Sequence, residues 1–408
     1  MRRMESGRKA VKHNDDSRQT PMTPHRQIAV LTVGRSDFTR YRPVLRALRD
    51  EPGVEMRLLV TGAHFSPRFG ETWREIAEAG FPFERGPDLT AAADSPAGAG
   101  GAIGIGTAAL AEAFARRRPD LLVVLGDRYE MLCGPAAALG FMIPVAHLHG
   151  GAVTEGAIDE QVRHALTKMS HYHLVSIPDY AARVRQMGEE DWRVEVVGAP
   201  GLDELPTLAD LSPAALGERV GLDLSAGYVL LGFHPVTLEV KQVRPQIEAV
   251  LAAIAPLSLP VVLTYPNTDP GHHEVIAALE AFAAAHPGRA VTLANAGGRV
   301  YSSLMRHATV MVGNSSSGLV EAPSFRLPVV NVGTRQDGKL KPANILDCPP
   351  ETPAIAAALA RALSPDFRRS LADLVNPYGD GRSGPRIARR LATLPLDDRL
   401  LRKKFVDR

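Results

Sequence analysis

Short runs of β-branched and apolar residues recur along this chain, each separated from the next by a stretch long and amphipathic enough for a helix. In the first half the runs are Gln27–Val33, Met56–Thr61, Leu121–Leu125, Ile143–His147, His173–Ser176 and Val194–Val197. Helix-length segments lie between them at Tyr41–Arg49, Thr107–Arg117, Tyr129–Leu139, Glu160–Met169 and Ala181–Met187, and Asp94–Gly106 reads as a mobile Gly/Ala-rich loop. Strands with no polar alternation need cover on both faces, and a hairpin would leave no room for a helix. The pattern therefore specifies parallel βαβ units. After the polar, Pro-containing stretch Asp203–Leu224 the alternation restarts. Strands are expected at Tyr228–Phe233, Val261–Tyr265, Ala290–Leu293, Val310–Val312 and Val329–Val332, and helices at Val243–Ile254, Val275–Ala285, Tyr301–Arg306 and Gly318–Phe325. Further helices follow at Pro353–Leu363, Phe367–Val375 and Pro385–Leu394. A chain of 408 residues is too long for one ordinary core. The expected fold is α/β with two doubly wound domains, over 27–204 and 205–383, after a disordered leader at 1–26.

Composition narrows the function by exclusion. A formal charge of +2 gives no reason to invoke nucleic acid or an anionic membrane. No apolar run approaches the ~20 residues that span a bilayer. Two cysteines, Cys133 and Cys348, make no disulfide framework and fit a reducing cytoplasm.

The polar loops all follow strands, which places them on one rim, where doubly wound sheets bind their ligands. Gly313–Gly318 is a small-residue turn with three serines, suited to a phosphate or, equally, to capping a helix. Gly34–Thr39 carries Arg35, a candidate phosphate clamp, and Thr39, a candidate hydrogen-bond donor. Asp127 ends a strongly apolar strand and is placed either as a base or as a helix cap answered by Glu130. The stretch His147–His164 holds the densest set of titratable groups, with Glu155, Asp159, Glu160 and Arg163 at a helix start. Two histidines, His147 and His149, lack a firmly placed third ligand, so neither metal nor cofactor is expected. His234 and Asn267, each beside a proline, and Arg335 end strands of the second half.

Taken together, these segments resemble the hydrolysing UDP-N-acetylglucosamine 2-epimerase family of bacterial sialic-acid-type sugar synthesis. The resemblance rests on Gly126-Asp127-Arg128, His147-x-His149-Gly150-Gly151, Thr154-Glu155-Gly156-Ala157-x-Asp159-Glu160 and Arg163-His164-Ala165-x-Thr167-Lys168. In the second half it rests on Thr264-Tyr265-Pro266-Asn267, Gly313–Gly318 with Glu321-Ala322-Pro323, and Asn331-x-Gly333-x-Arg335-Gln336. It implies a GT-B architecture, two facing Rossmann-like domains, with the C-terminal helix within 384–408 crossing back to the first. It also implies a cytoplasmic homodimer and a UDP-sugar as the partner.

The reaction implied is hydrolysis of UDP-N-acetylglucosamine to UDP and N-acetylmannosamine. Asp127, Glu155, Asp159 and Glu160 would be its acids and bases, with Arg163 and His234 near the sugar or phosphates. Arg35, Thr39, Asn267, Ser315, Ser316 and Arg335 would hold UDP, and Glu321 the ribose. The pattern departs in two places: Ala152 stands where the family commonly has an acid, and the first loop reads Gly34-Arg35-Ser36-Asp37-Phe38 in place of Ser-Arg-Ala-Asp-Tyr. Both departures bear on the sugar, and a UDP-diacetylbacillosamine-type substrate is the alternative. A GT-B glycosyltransferase and a non-hydrolysing epimerase are the competing activities.

Overall fold

A computed structural model describes residues 25–67, 70–90, 96–154, 158–266 and 271–408. Most of the expected leader lies outside these residues, but Arg26 already belongs to the first strand, and its Nη1 donates to the Leu391 carbonyl at 2.6 Å.

The first sheet contains β1 (Arg26–Thr32), β2 (Val54–Val60), β3 (Glu84–Arg85), β4 (Leu121–Leu125), β5 (Val145–Leu148), β6 (Tyr172–Val175) and β7 (Val194–Val196). The second contains β8 (Val229–Gly232), β9 (Val261–Thr264), β10 (Ala290–Leu293), β11 (Val310–Gly313), β12 (Val329–Val332) and β13 (Ile345–Cys348). Their orders are β3-β2-β1-β4-β5-β6-β7 and β10-β9-β8-β11-β12-β13, and the pairs are parallel throughout. Both sheets thus reverse direction of growth beside their first strand, between β1 and β4 and between β8 and β11. Ligand crevices form at such switch points.

Burial explains why the apolar runs became strands. Leu121 to Leu125 in β4 are all buried, because helices cover both faces of the sheet. Removing each such Leu or Val from water is worth about 1.5–3 kcal/mol. One core below the first sheet joins Ile28, Val30 and Tyr41 to Ile387, Ala388, Leu391, Leu394 and Leu400 from the end of the chain. The buried Arg193 ties the same terminus down, donating to the carbonyls of Leu400 at 2.7 Å and Arg399 at 2.8 Å. The two sheets form the facing Rossmann-like pair of the GT-B arrangement, and a cavity opens between them.

The structure corrects the sequence reading in three places. The expected mobile loop over Asp94–Gly106 is helical from residue 96, in one helix Pro96–Arg116. Gly106 serves packing: a Cβ there would lie 2.5 Å from Cys133 Sγ on the neighbouring helix, whereas Gly100, Gly101 and Gly104 face open space. The part Ala97–Arg116 is also long and apolar enough to cross a membrane, with a mean hydropathy of 1.2, although Ala102, Leu110 and Phe114 belong to the core beside the sheet. Finally, the helix expected over Gly318–Phe325 is only a turn of α-helix, Ser317–Val320, followed by a 3₁₀ turn, Ala322–Phe325.

Candidate functional site

The cavity, about 250 Å³, is lined from the first half by the loops after β1, β4 and β5 and from the second by the turn after β11 and the segment around Lys339. It therefore sits at both switch points.

On the first wall, charge is concentrated around one buried guanidinium. Arg163, on the helix Ile158–Met169, is 1% exposed. It forms an ion pair with Asp127 through Nη2 and a second bond through Nε at 3.1 Å. It also reaches Glu160 at 2.5 Å, the Ala152 carbonyl at 2.8 Å and Thr154 Oγ1 at 2.6 Å. Glu160 in turn accepts from the Thr154 amide at 2.7 Å. A buried arginine with every arm occupied is a rigid template, and it fixes the Asp127 carboxylate at the cavity wall. Burial, reinforced by the nearby Asp127 charge, raises the Asp159 pKa above the ordinary carboxylate range. The site therefore contains one carboxylate held in an ion pair and another biased towards its protonated form, the division of labour that acid–base chemistry requires.

The histidines of β5 and its end differ. His147 is wholly buried, with Nε2 at 2.9 Å from the Gly126 carbonyl and Nδ1 at 3.3 Å from Thr167 Oγ1; burial takes its pKa down to about 3. His149 reaches the cavity.

The second wall is built on amides and hydroxyls. Asn314 is buried and clamps the end of β8, its Oδ1 accepting from the His234 amide at 2.7 Å and its Nδ2 donating to the His234 carbonyl at 2.8 Å. The Asn314 carbonyl receives Arg335 Nη1 at 3.1 Å and Gln336 Nε2 at 2.7 Å. Gly313 adopts φ +129°, and a Cβ there would collide with the Gly232 carbonyl, so β11 must leave the sheet on a glycine. Ser315 Oγ lies 2.9 Å from Ser317 Oγ, which meets the Tyr301 hydroxyl at 2.7 Å; Ser316 is left on the cavity wall. Glu321 also lines the cavity. Burial pushes its carboxyl up to about 7, against the pull of Arg40 from the opposite half.

Of the residues singled out from sequence, Asp127, Arg163, Ser316 and Glu321 line the cavity together. Glu160 and Asp159 stand beside them through Arg163 and Asp127. His234, Ser315 and Arg335 connect to the serine turn without lining the cavity. Arg35 turns aside to Glu75 at 3.2 Å, and the Thr39 hydroxyl donates to the Arg35 carbonyl at 3.0 Å. Glu155 and Asn267 lie outside the described residues.

Sequence reasoning noted Arg40 beyond the first loop but gave no role to it, to Lys339 or to Tyr378, all of which line the cavity. Arg40 directly follows Thr39, one helical turn after Ser36, and that spacing is the signal that could have found it. Lys339 follows Gly338 four residues after Arg335. Burial, then the charges of Arg335 and Arg163, bring its ammonium down to about 8. Among the described residues no cluster of His, Cys, Asp and Glu is placed to hold a metal.

Comparison with known proteins follows the same lines. The family model described as UDP-N-acetylglucosamine 2-epimerase matches residues 46–392. The chain is 34% identical over 379 residues to the UDP-N,N'-diacetylbacillosamine 2-epimerase (hydrolyzing) of Legionella pneumophila, covering 93% of this chain and 98% of that protein. It is 32% identical over 383 residues to the GDP/UDP-N,N'-diacetylbacillosamine 2-epimerase (hydrolyzing) of Campylobacter jejuni, covering 94% and 99%. In fold it is similar to the UDP-GlcNAc 2-epimerase of Neisseria meningitidis bound to UDP-GlcNAc, with a TM-score of 0.72, 16% identity and coverage of 90% and 99%.

Proposed function

The chain belongs to the UDP-N-acetylglucosamine 2-epimerase family, and we propose that it is a hydrolysing member whose preferred substrate is a UDP-N,N'-diacetylbacillosamine-type sugar. The observation that carries this reading is the shared cavity: the Asp127–Arg163 pair of one half and the Ser316–Glu321 turn of the other line the same space. On this reading a base, a diphosphate grip and a ribose acceptor share one cavity.

We assign the steps as follows. Asp127 takes the proton from hexose C2, the C1–O bond to UDP breaks, and a C1=C2 double bond forms. Water then adds its hydroxyl to C1, while Asp159 delivers a proton to C2 from the opposite face and so inverts that centre. UDP and a free 2-epimeric sugar result. The departing diphosphate gathers negative charge, and Arg40 and Lys339 line the cavity in which that charge develops. Glu321 receives the ribose hydroxyls, and the Ser316 turn holds a phosphate.

The choice of sugar reverses the order expected from sequence, which put UDP-N-acetylglucosamine first. Both relatives above 30% identity described here carry the diacetylbacillosamine name. The cavity wall supports the same order: Ala152, Ala199 and Gly201 on one side meet Leu319 and Val320 on the other. An acidic side chain at position 152 would sit badly against an acetamido methyl or a 6-deoxy carbon, whereas a methyl group accepts either. The test is UDP release from each nucleotide sugar with no acceptor present. The diacetylated 6-deoxy sugar should show a kcat/KM at least about tenfold higher. Equal or better turnover of UDP-N-acetylglucosamine would overturn the substrate choice, and release only on adding an acceptor would replace the reaction with glycosyl transfer.

A further inference from the structure

The two histidines that alternate at the end of β5 are in opposite situations. The ring of His147 has a partner for each nitrogen and no access to the cavity. His149 has its Nδ1 at 2.9 Å from Ser176 Oγ, while its Nε2 is buried and, among the described residues, without a hydrogen-bond partner. Both His149 and Ser176 line the cavity, as do Asp127 and Arg163. A buried polar atom left without a partner is unfavourable, and one that also faces a cavity is placed for a ligand to complete.

The backbone carries a second sign. His149 adopts φ +63°, a left-handed conformation in which its amide still donates to the Leu174 carbonyl at 3.2 Å. Non-glycine residues occupy that region infrequently, and they concentrate where a side chain must be aimed. Here the turn swings the ring off the sheet, where continuation of β5 would have kept it, and into the cleft.

We propose that His149 is a catalytic residue of this site, its Nε2 hydrogen-bonding the hexose of the UDP-sugar and so setting C2 against Asp127. The inference rests on the functional reading above. In this reading the Ser176 hydroxyl donates to Nδ1, the ring proton lies on Nε2, and Nε2 donates to a hexose oxygen such as an acetamido carbonyl. Burial and the neighbouring Arg40 charge take the His149 pKa down to about 4, so the ring is neutral at physiological pH and orients the sugar without transferring a proton.

The experiment compares wild type with His149→Asn and His149→Gln. Asparagine tolerates the left-handed backbone but is too short to reach the sugar, whereas glutamine carries an amide N–H about as far out as Nε2. The readouts are UDP release from the UDP-sugar, inhibition by UDP alone and the thermal midpoint. His149→Asn should lower kcat/KM at least about 30-fold with UDP inhibition within about twofold of wild type, because UDP carries no hexose; His149→Gln should recover most of the loss. Ser176→Ala should give a smaller loss of the same kind. Wild-type kcat/KM in His149→Asn overturns the proposal. So does a parallel fall in UDP affinity and thermal midpoint, which would mark the ring as structural. If wild type itself releases no UDP from any UDP-sugar, the functional reading fails first and takes this inference with it.

Discussion

The loop after β4 and the loop after β11 occupy equivalent positions in two sheets whose strand orders match but for the extra β7, yet they are built from opposite materials. The first ends in Asp127, held by the buried Arg163 and surrounded by ionisable groups. The second ends in Asn314 and a serine turn whose side chains bond to the His234 backbone, to each other and to the Tyr301 hydroxyl. Topology fixes where a ligand goes and leaves open what happens to it. Charge held rigidly at one switch point can move protons, whereas neutral donors at the other can grip a diphosphate through bond making and breaking without exchanging a proton with it. In the proposed reaction the first half performs the chemistry and the second holds the nucleotide.

The sharpest way to break this division is Asp127→Asn. It keeps the shape and removes the base, and it should lower kcat at least about 1,000-fold while UDP binding by calorimetry stays within about twofold. Turnover near wild type would remove Asp127 from the chemistry. Asn314→Ala should have the opposite signature. It leaves the His234 amide and carbonyl without their partner, which should cost about 2 kcal/mol in denaturant unfolding and weaken UDP binding. Unchanged unfolding would show that the clamp does not hold the second wall. Lys339→Met removes one cavity cation and should raise KM about tenfold with little change in kcat. A loss confined to kcat would move Lys339 from grip to chemistry.

The smallest effect concerns pH. The Glu321 carboxyl rises from its ordinary 4.5 to about 7 in the folded protein because burial disfavours its charge. The folded state therefore binds that proton more tightly than the unfolded chain does. The stability this contributes is fully present below pH 4.5 and is lost as pH rises through about 7. Glu321→Gln should flatten that part of the unfolding-versus-pH curve and leave the acid side alone. An identical slope in the variant would assign it to another group.

Much of this was legible in the sequence because buried parallel strands have a plain signature. Ala290–Leu293 and Val329–Val332 fall on the residues where apolar runs place them. β3 is only two residues long, and β13 reads Ile-Leu-Asp-Cys at a sheet edge, so neither offers a run to detect. The helix from residue 96 was hidden by its glycines, since a glycine that permits close helix packing looks in sequence like one that breaks a helix. At the site, loops after strands announced Asp127 and Ser316, but Arg40 and Lys339 owe their place to the approach of two separately folded sheets. No local pattern encodes which distant cation will close a cleft.

The central claim is that a proton leaves C2 and another replaces it while UDP is released. Proton NMR of the products formed in heavy water tests this most directly. The expected products are free UDP and a free sugar inverted at C2, with deuterium at that carbon. A released sugar that keeps its original C2 hydrogen, or a sugar still joined to UDP, would contradict it.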